Sequence, residues 1–138
     1  MGVPTLSDPV PRLPGGKDIV IKQNADWSMA LCIIEKDELG NSVIVDTAGW
    51  IVKLQVRKEP MSSSPVLLEA STANGRIVVG IQGEPGEEVN IDIKVPKSVT
   101  AELTDFGIAG CDLRVTYPNG DVDYLLDETV LLKPAYTW

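Results

Sequence analysis

Histidine is absent from this chain. Its absence removes Ser-His-Asp and Cys-His nucleophilic arrangements, and with them the commonest zinc and iron ligand. Cysteine occurs twice, as Cys32 and Cys111, too few for a disulfide-stapled scaffold and without zinc-ribbon spacing. No apolar run approaches the ~18 residues of a membrane span. The opening MGVPTLSDPVPRLPGGKD lacks the basic-then-apolar order of a signal peptide. Gly2 does not open a myristoylation motif, which wants Ser or Thr where Leu6 stands. Positive charge is scarce as well. Twelve Lys and Arg face 20 Asp and Glu, for a formal charge of −8. Such a surface repels phosphate backbones and anionic lipid, so neither a nucleic-acid nor a membrane partner is expected. A soluble protein made in the cytoplasm is the default expectation.

What is present fits one packed domain. The 138 residues are too few for a second independent core. A hydrophobic content of 43% against 23% charged residues favours a globular core over disorder. Residues 1–17 differ from the rest. Pro4, Pro9, Pro11 and Pro14 favour extended, polyproline-like chain, and Gly15-Gly16 punctuates its end. By composition this is a tail. Ordering it needs a surface to lie against, so the expectation is an arm docked on a neighbouring subunit or another partner.

From Asp18 the text reads as short strands broken by turns. Asp18–Gln23, Trp27–Glu35, Ser42–Val45 and Trp50–Arg57 are apolar and β-branched, with Lys36–Asn41 as a turn. Val52, Leu54 and Val56 alternate with Lys53, Gln55 and Arg57, the period of a half-buried strand. Val66–Ala70 and Arg76–Ile81 read as a pair joined through Asn74-Gly75. Val89–Val95 alternates most cleanly, and Pro96–Leu103 carries the one helical signal. Ile108–Tyr117 and Asp121–Leu132 flank Pro118-Asn119-Gly120, a hairpin whose Asn-Gly pair wants positive φ at both positions. Eight or nine strands without a long helix predict an all-β fold, a single antiparallel sandwich.

Candidate sites are few. Cys32, Trp50 and Cys111 are spaced like the Cys–Trp–Cys pattern of antibody-type domains, but Ala109 stands where that pattern has tyrosine. Strand parity sets Cys32 opposite the Trp27, Met29 and Leu31 face, so two buried thiols are expected rather than a disulfide. Ala30, Cys32 and Ile34 make the second face of that strand apolar too. They are candidate interface residues, with a covering loop as the plainer reading. Trp138 at the last position is a candidate interface anchor. The carboxylates at Asp37-Glu38, Glu84/Glu87/Glu88 and Asp121/Asp123 sit in turns, where acids are ordinarily solvated. Asn119–Asp123 has oxygen ligands at alternate positions but lacks the rest of a calcium loop. No catalytic residue, cofactor site or metal site is assigned.

The order of motifs resembles a small β-sandwich module of tailed bacteriophages. Ile21–Trp27 (IKQNADW) is similar to that module's I-x-Q-G-A-x-F, and Asp46–Trp50 (DTAGW) to D-L-T-G-Y. Leu54–Arg57 (LQVR) resembles M-Q-V-R. Leu67–Glu69 with Thr72–Ile77 resembles L-L-E-L-T-T-E-N-G-G-I. Cys111–Leu113 stands at Y-D-L, and Pro118–Val122 with Leu125–Asp127 at P-D-G-x-V-x-x-L-L-E-G. The match covers about residues 18–134, leaving 1–17 as an arm and 135–138 as a tail. It departs at Asn24 for glycine, Cys111 for tyrosine and Glu128 for glycine. The family is akin to the N-terminal module of phage baseplate upper proteins, and it implies an immunoglobulin-like, non-enzymatic virion component of the tail, baseplate or fibre-attachment region. The implied partners are other virion proteins and further copies of the chain, in a symmetric homo-oligomer with a trimer among the options. Two alternatives stand beside it. One is a capsid decoration (cement) protein clamping capsomers through residues 1–17. The other is a receptor- or glycan-binding module using Trp50, Tyr117, Tyr124, Tyr136 or Trp138.

Overall fold

The computed structural model describes residues 19–138 together with a two-residue strand at Thr5–Leu6. Pro4, Pro9, Pro11 and Pro14, and all of the proposed arm except Thr5 and Leu6, lie outside the described residues. Strand β1 (Thr5–Leu6) pairs antiparallel with β4 (Ile33–Lys36), which pairs in turn with β5 (Ser42–Ile44). A five-stranded sheet is built from β2 (Ile19–Lys22), β11 (Val122–Lys133), β10 (Gly107–Thr116), β6 (Ile51–Arg57) and β7 (Leu68–Ser71), in that order. A three-stranded sheet runs β3 (Trp27–Leu31), β9 (Val89–Val95), β8 (Ile77–Gln82). The five-stranded sheet and the β3–β9–β8 sheet face each other. This is an all-β, immunoglobulin-like sandwich: one layer has the B-E-D strand order, the other the G-F-C order extended at both edges. Within the second layer β2 lies parallel to β11 while the remaining pairs are antiparallel.

The core follows from the alternation. Val52, Leu54 and Val56 of β6 and Leu113 and Val115 of β10 are fully buried, facing Leu31, Ile91 and Ile93 of the other layer. Each such side chain contributes about 1.5–3 kcal/mol by leaving water. The single helical turn α1 (Lys97–Thr100) falls inside the predicted segment. Thr100, fully buried, donates from its hydroxyl to Ala25 O at 2.7 Å and accepts from Ala25 N at 3.1 Å, pinning α1 to the turn after β2.

Three readings of the sequence are corrected. The two strands flanking Asn74-Gly75 do not pair, because β7 belongs to the five-stranded layer and β8 to the three-stranded one. Asn74 instead organises a crossover, accepting from Ser71 N and Arg76 N at 3.0 Å each, with Gly75 at φ +79°. The β10–β11 hairpin is present, but Gly120 alone (φ +93°) is left-handed. Tyr117 O accepts from Gly120 N, and Tyr117 N donates to Asp121 O. That is the three-residue loop with a glycine bulge rather than a two-residue turn, and it needs positive φ at one position only. Finally, Trp27–Glu35 is two strands, interrupted at Cys32.

The break at Cys32 has a specific cause. Leu31 pairs with Ile91, so continuing the ladder would set Ile33 against Val89. The side chain of Asn90, fully buried, takes that place. Its Oδ1 accepts from Ile33 N at 2.7 Å, and its Nδ2 donates to Ile33 O at 2.9 Å and Val45 O at 2.8 Å. A primary amide reproduces the donor–acceptor pair of a peptide unit, so it closes the ladder while freeing β4 to leave for the small sheet. The buried Thr47 extends the network, donating to Asn90 O at 2.6 Å and accepting from Gly80 N at 2.7 Å.

Candidate interaction surfaces

The candidates on the second face of β3–β4 are placed together. Ala30, Cys32 and Ile34 are half-buried, while Met29, Leu31 and Ile33 of the opposite parity are buried in the core. Ile34 is the register partner of Thr5, so the N-terminal strand lies along this run. Cys32 and Cys111 form no disulfide with one another. Cys111 is buried on the core face of β10, and burial, reinforced by the negative charge of Asp112, pushes its thiol up to about 12. Trp138 is 71% exposed in the C-terminal segment. That segment is held one turn earlier, where Ala135 N donates to Gln23 Oε1 at 3.0 Å.

Trp50 leaves the set of surface aromatics. It is 7% exposed and packs edge-to-face on Tyr117, with ring centroids 4.9 Å apart at 86°. A glycan platform needs an accessible ring face, and the core occupies this one. Tyr124, Tyr136 and Trp138 remain exposed. Of the turn carboxylates, Asp37, Glu88, Asp121 and Asp123 accept hydrogen bonds from neighbouring residues. Asp37 accepts from Asn41 N and Leu39 N at 2.9 Å each, and these bonds, Asn41's first, hold its carboxyl below the ordinary range. Asp121 and Asp123 accept from Asn119 Nδ2 and from the Tyr117 hydroxyl, both at 3.2 Å. Among the described residues no group of three or more Cys, Asp or Glu side chains is arranged to hold a metal ion.

The surface that sequence reading missed is the outer face of β6, β10 and β11. It carries a groove of about 650 Å³, bordered on one side by the loop that follows β6. Arg57 fastens that loop by donating to Ser62 O and Ser64 O, and it donates to Gln55 Oε1 at 3.1 Å. Gln55 in turn donates to Glu69 Oε1 at 2.7 Å. Lys58 closes the corner, donating to Phe106 O at 2.6 Å and lying 3.5 Å from Asp105. Along the groove floor, Arg114 is flanked in register by Lys53 and Tyr124, and Asp112 by Gln55 and Asp127. Partial burial, then the adjacent Asp127 charge, raises the Asp112 carboxyl above its ordinary value, against the pull of Arg57. The signal was in the text, as the polar half of two alternating strands, but alternation says only that such residues face away from the core.

The fold and these surfaces define an immunoglobulin-like β-sandwich. No family model matches the chain, and no curated protein matches it. Solved structures align over nearly the whole length at low similarity. CopC from Methylosinus trichosporium OB3b aligns at 11% identity and TM-score 0.42, over 99% of both chains. Murine CRIg aligns at 18% identity and TM-score 0.36, over 97% of this chain and 99% of its own. AggA, the major subunit of aggregative adherence fimbriae type I from Escherichia coli, aligns at 9% identity and TM-score 0.32, over 98% and 95%. At that level of likeness neither activity nor partner passes from any of them to this chain.

Proposed function

We propose that this chain is a non-enzymatic structural component of a tailed-phage virion, in the tail, baseplate or fibre-attachment region, where it joins subunits to one another. The observation that carries the reading is where the phage-like motifs fall. Gln23 of the first motif donates to Leu103 O at 3.0 Å and accepts from Ala135 N, tying three distant segments together. Asn24, standing for the family's glycine, has φ +60°, the left-handed backbone for which asparagine is the usual substitute. Thr47 and Trp50 of the second motif are buried, and Gly75 and Gly120 of later ones are left-handed. The resemblance is concentrated on framework positions, so what is shared is a shape. A shared shape without shared reactive groups suits attachment rather than chemistry.

The decoration reading keeps one point in its favour: Thr5–Leu6, here paired with β4 of its own chain, is strand-forming, and a strand-forming segment that leaves its own sheet can add to a sheet edge on a capsomer. Immunogold electron microscopy of purified particles, with antibody against this chain, separates the two. Gold at the tail or its tip is the expected result, and gold over the head transfers the assignment to decoration. Mass spectrometry that finds no copy of the chain in purified particles overturns the virion reading altogether.

A further inference from the structure

The outer face of β6, β10 and β11 sets like charges side by side, with only the more distant pull of Arg57 on Asp112 acting against them. Arg114 has Lys53 as its neighbour on β6, while Asp112 has Asp127 as its neighbour on β11. Like charges directly opposite on adjacent strands destabilise a sheet. Among the described residues none of these four side chains makes a hydrogen bond or an ion pair, although Gln55, Arg57 and Glu69 on the same face are linked to each other. All four are exposed, and Tyr124 stands beside them at 57% exposure. The result is a basic row next to an acidic row, two residues apart along β10.

Turned over about an axis across its strands, this same face sets the central charges of the two rows, Asp112 and Arg114, against each other. We propose that the face is a homodimer interface, in which a second copy packs about a two-fold axis crossing β10 at Leu113, so that Asp112 of each copy meets Arg114 of the other. The axis runs across the strands and leaves β10 stacked on β10. Because face-to-face sheets cross at about 30°, the central strand keeps its contact while the columns of β6 and β11 splay apart. Gln55 then lies towards the other copy's Lys53, and Asp127 towards its Tyr124. A two-fold contact of this kind is closed, each pair occurring twice. The inference stands on the charge pattern and is independent of the phage reading.

Charge exchange tests it on the purified full chain by sedimentation velocity over a concentration series. Wild type is expected to show a monomer–dimer equilibrium that weakens as salt is added, because these charges are screened. Asp112→Arg and Arg114→Asp each turn two attractive contacts into two repulsive ones, and each is expected to weaken dimerisation by at least about tenfold. The double exchange D112R/R114D restores the attraction and should return the dimer. Should an exchange variant fail to fold, as read by circular dichroism, Asp112→Asn and Arg114→Gln report the same weakening with smaller change. A wild type that is monomeric or trimeric, a dimer indifferent to the single exchanges, or a double variant no better than the singles overturns the proposal. None of these results depends on a virion, so they leave the immunogold experiment to decide location separately.

Discussion

Replacing Asn90 with alanine removes the group that stands in for a strand at the point where β3 gives way to β4. In the native protein the amide makes three hydrogen bonds, to Ile33 N, Ile33 O and Val45 O. Ile33 O keeps a second donor, Val45 N at 3.0 Å. Two groups therefore lose the amide without replacement, Ile33 N–H and Val45 O, at a site Asn90 shares with the fully buried Ile33. Stranding a buried donor or acceptor costs about 1–3 kcal/mol, so Asn90→Ala should cost about 2–6 kcal/mol. A domain of this size has about 5–15 kcal/mol in total. In urea, with a slope of about 2 kcal/mol per molar, the midpoint should fall by about 2 M at unchanged slope. A fall below about 0.5 M would refute the role given to this side chain. Asn90→Asp adds a signature in pH. Its carboxyl would keep the bond from Ile33 N but face two carbonyl oxygens, so the folded state favours the neutral form and raises the group's pKa above the unfolded value of about 3.9. The variant's stability relative to wild type should then be best below about pH 4 and decline as pH rises through the folded pKa.

Asn24→Gly should leave the melting temperature nearly unchanged, whereas Asn24→Ala, forced to φ +60°, should lose about 1–2 kcal/mol in chemical denaturation. Trp50→Ala should cost about 3–5 kcal/mol by opening a cavity against Tyr117, and a variant with wild-type stability would return Trp50 to the surface. Iodoacetamide at pH 8 should spare Cys111 in the folded protein and label it once urea unfolds the chain, because its thiol sits at about 12 and is buried. Peptide mass spectrometry reads both states, and full native labelling would contradict the burial.

Much of the sandwich was legible because period-two alternation is a direct record of which side of a strand meets the core. β6 and β9 were readable for that reason, and α1 was readable because nothing else in the chain resembles a helix. The assignment of strands to layers was not. Asn74-Gly75 specifies a reversal, and a reversal looks the same whether the next strand pairs with the last or crosses to the facing sheet. The break at Cys32 was hidden for a different reason. It depends on Asn90, 57 positions from Ile33 in sequence, and a polar residue in an alternating strand reads as solvent-facing until something is seen to cover it. The charged rows on β10 were hidden likewise, since Asp112 and Arg114 acquire meaning only from the neighbours that register gives them. Trp50 was misplaced because local sequence does not say which of two faces a residue just ahead of a strand will take.

The parallel alignment of β2 with β11 has a mechanical consequence. Ile19 lies beside Val130 and Lys22 beside Lys133, and Gln23 N adds a bond to Lys133 O at 2.8 Å. Tension drawing Ile19 and Lys133 apart along the strands would load this whole seam sideways. Its bonds lie across the pull and share the force, so they must rupture together, whereas a hairpin pulled open at its mouth gives way one rung at a time.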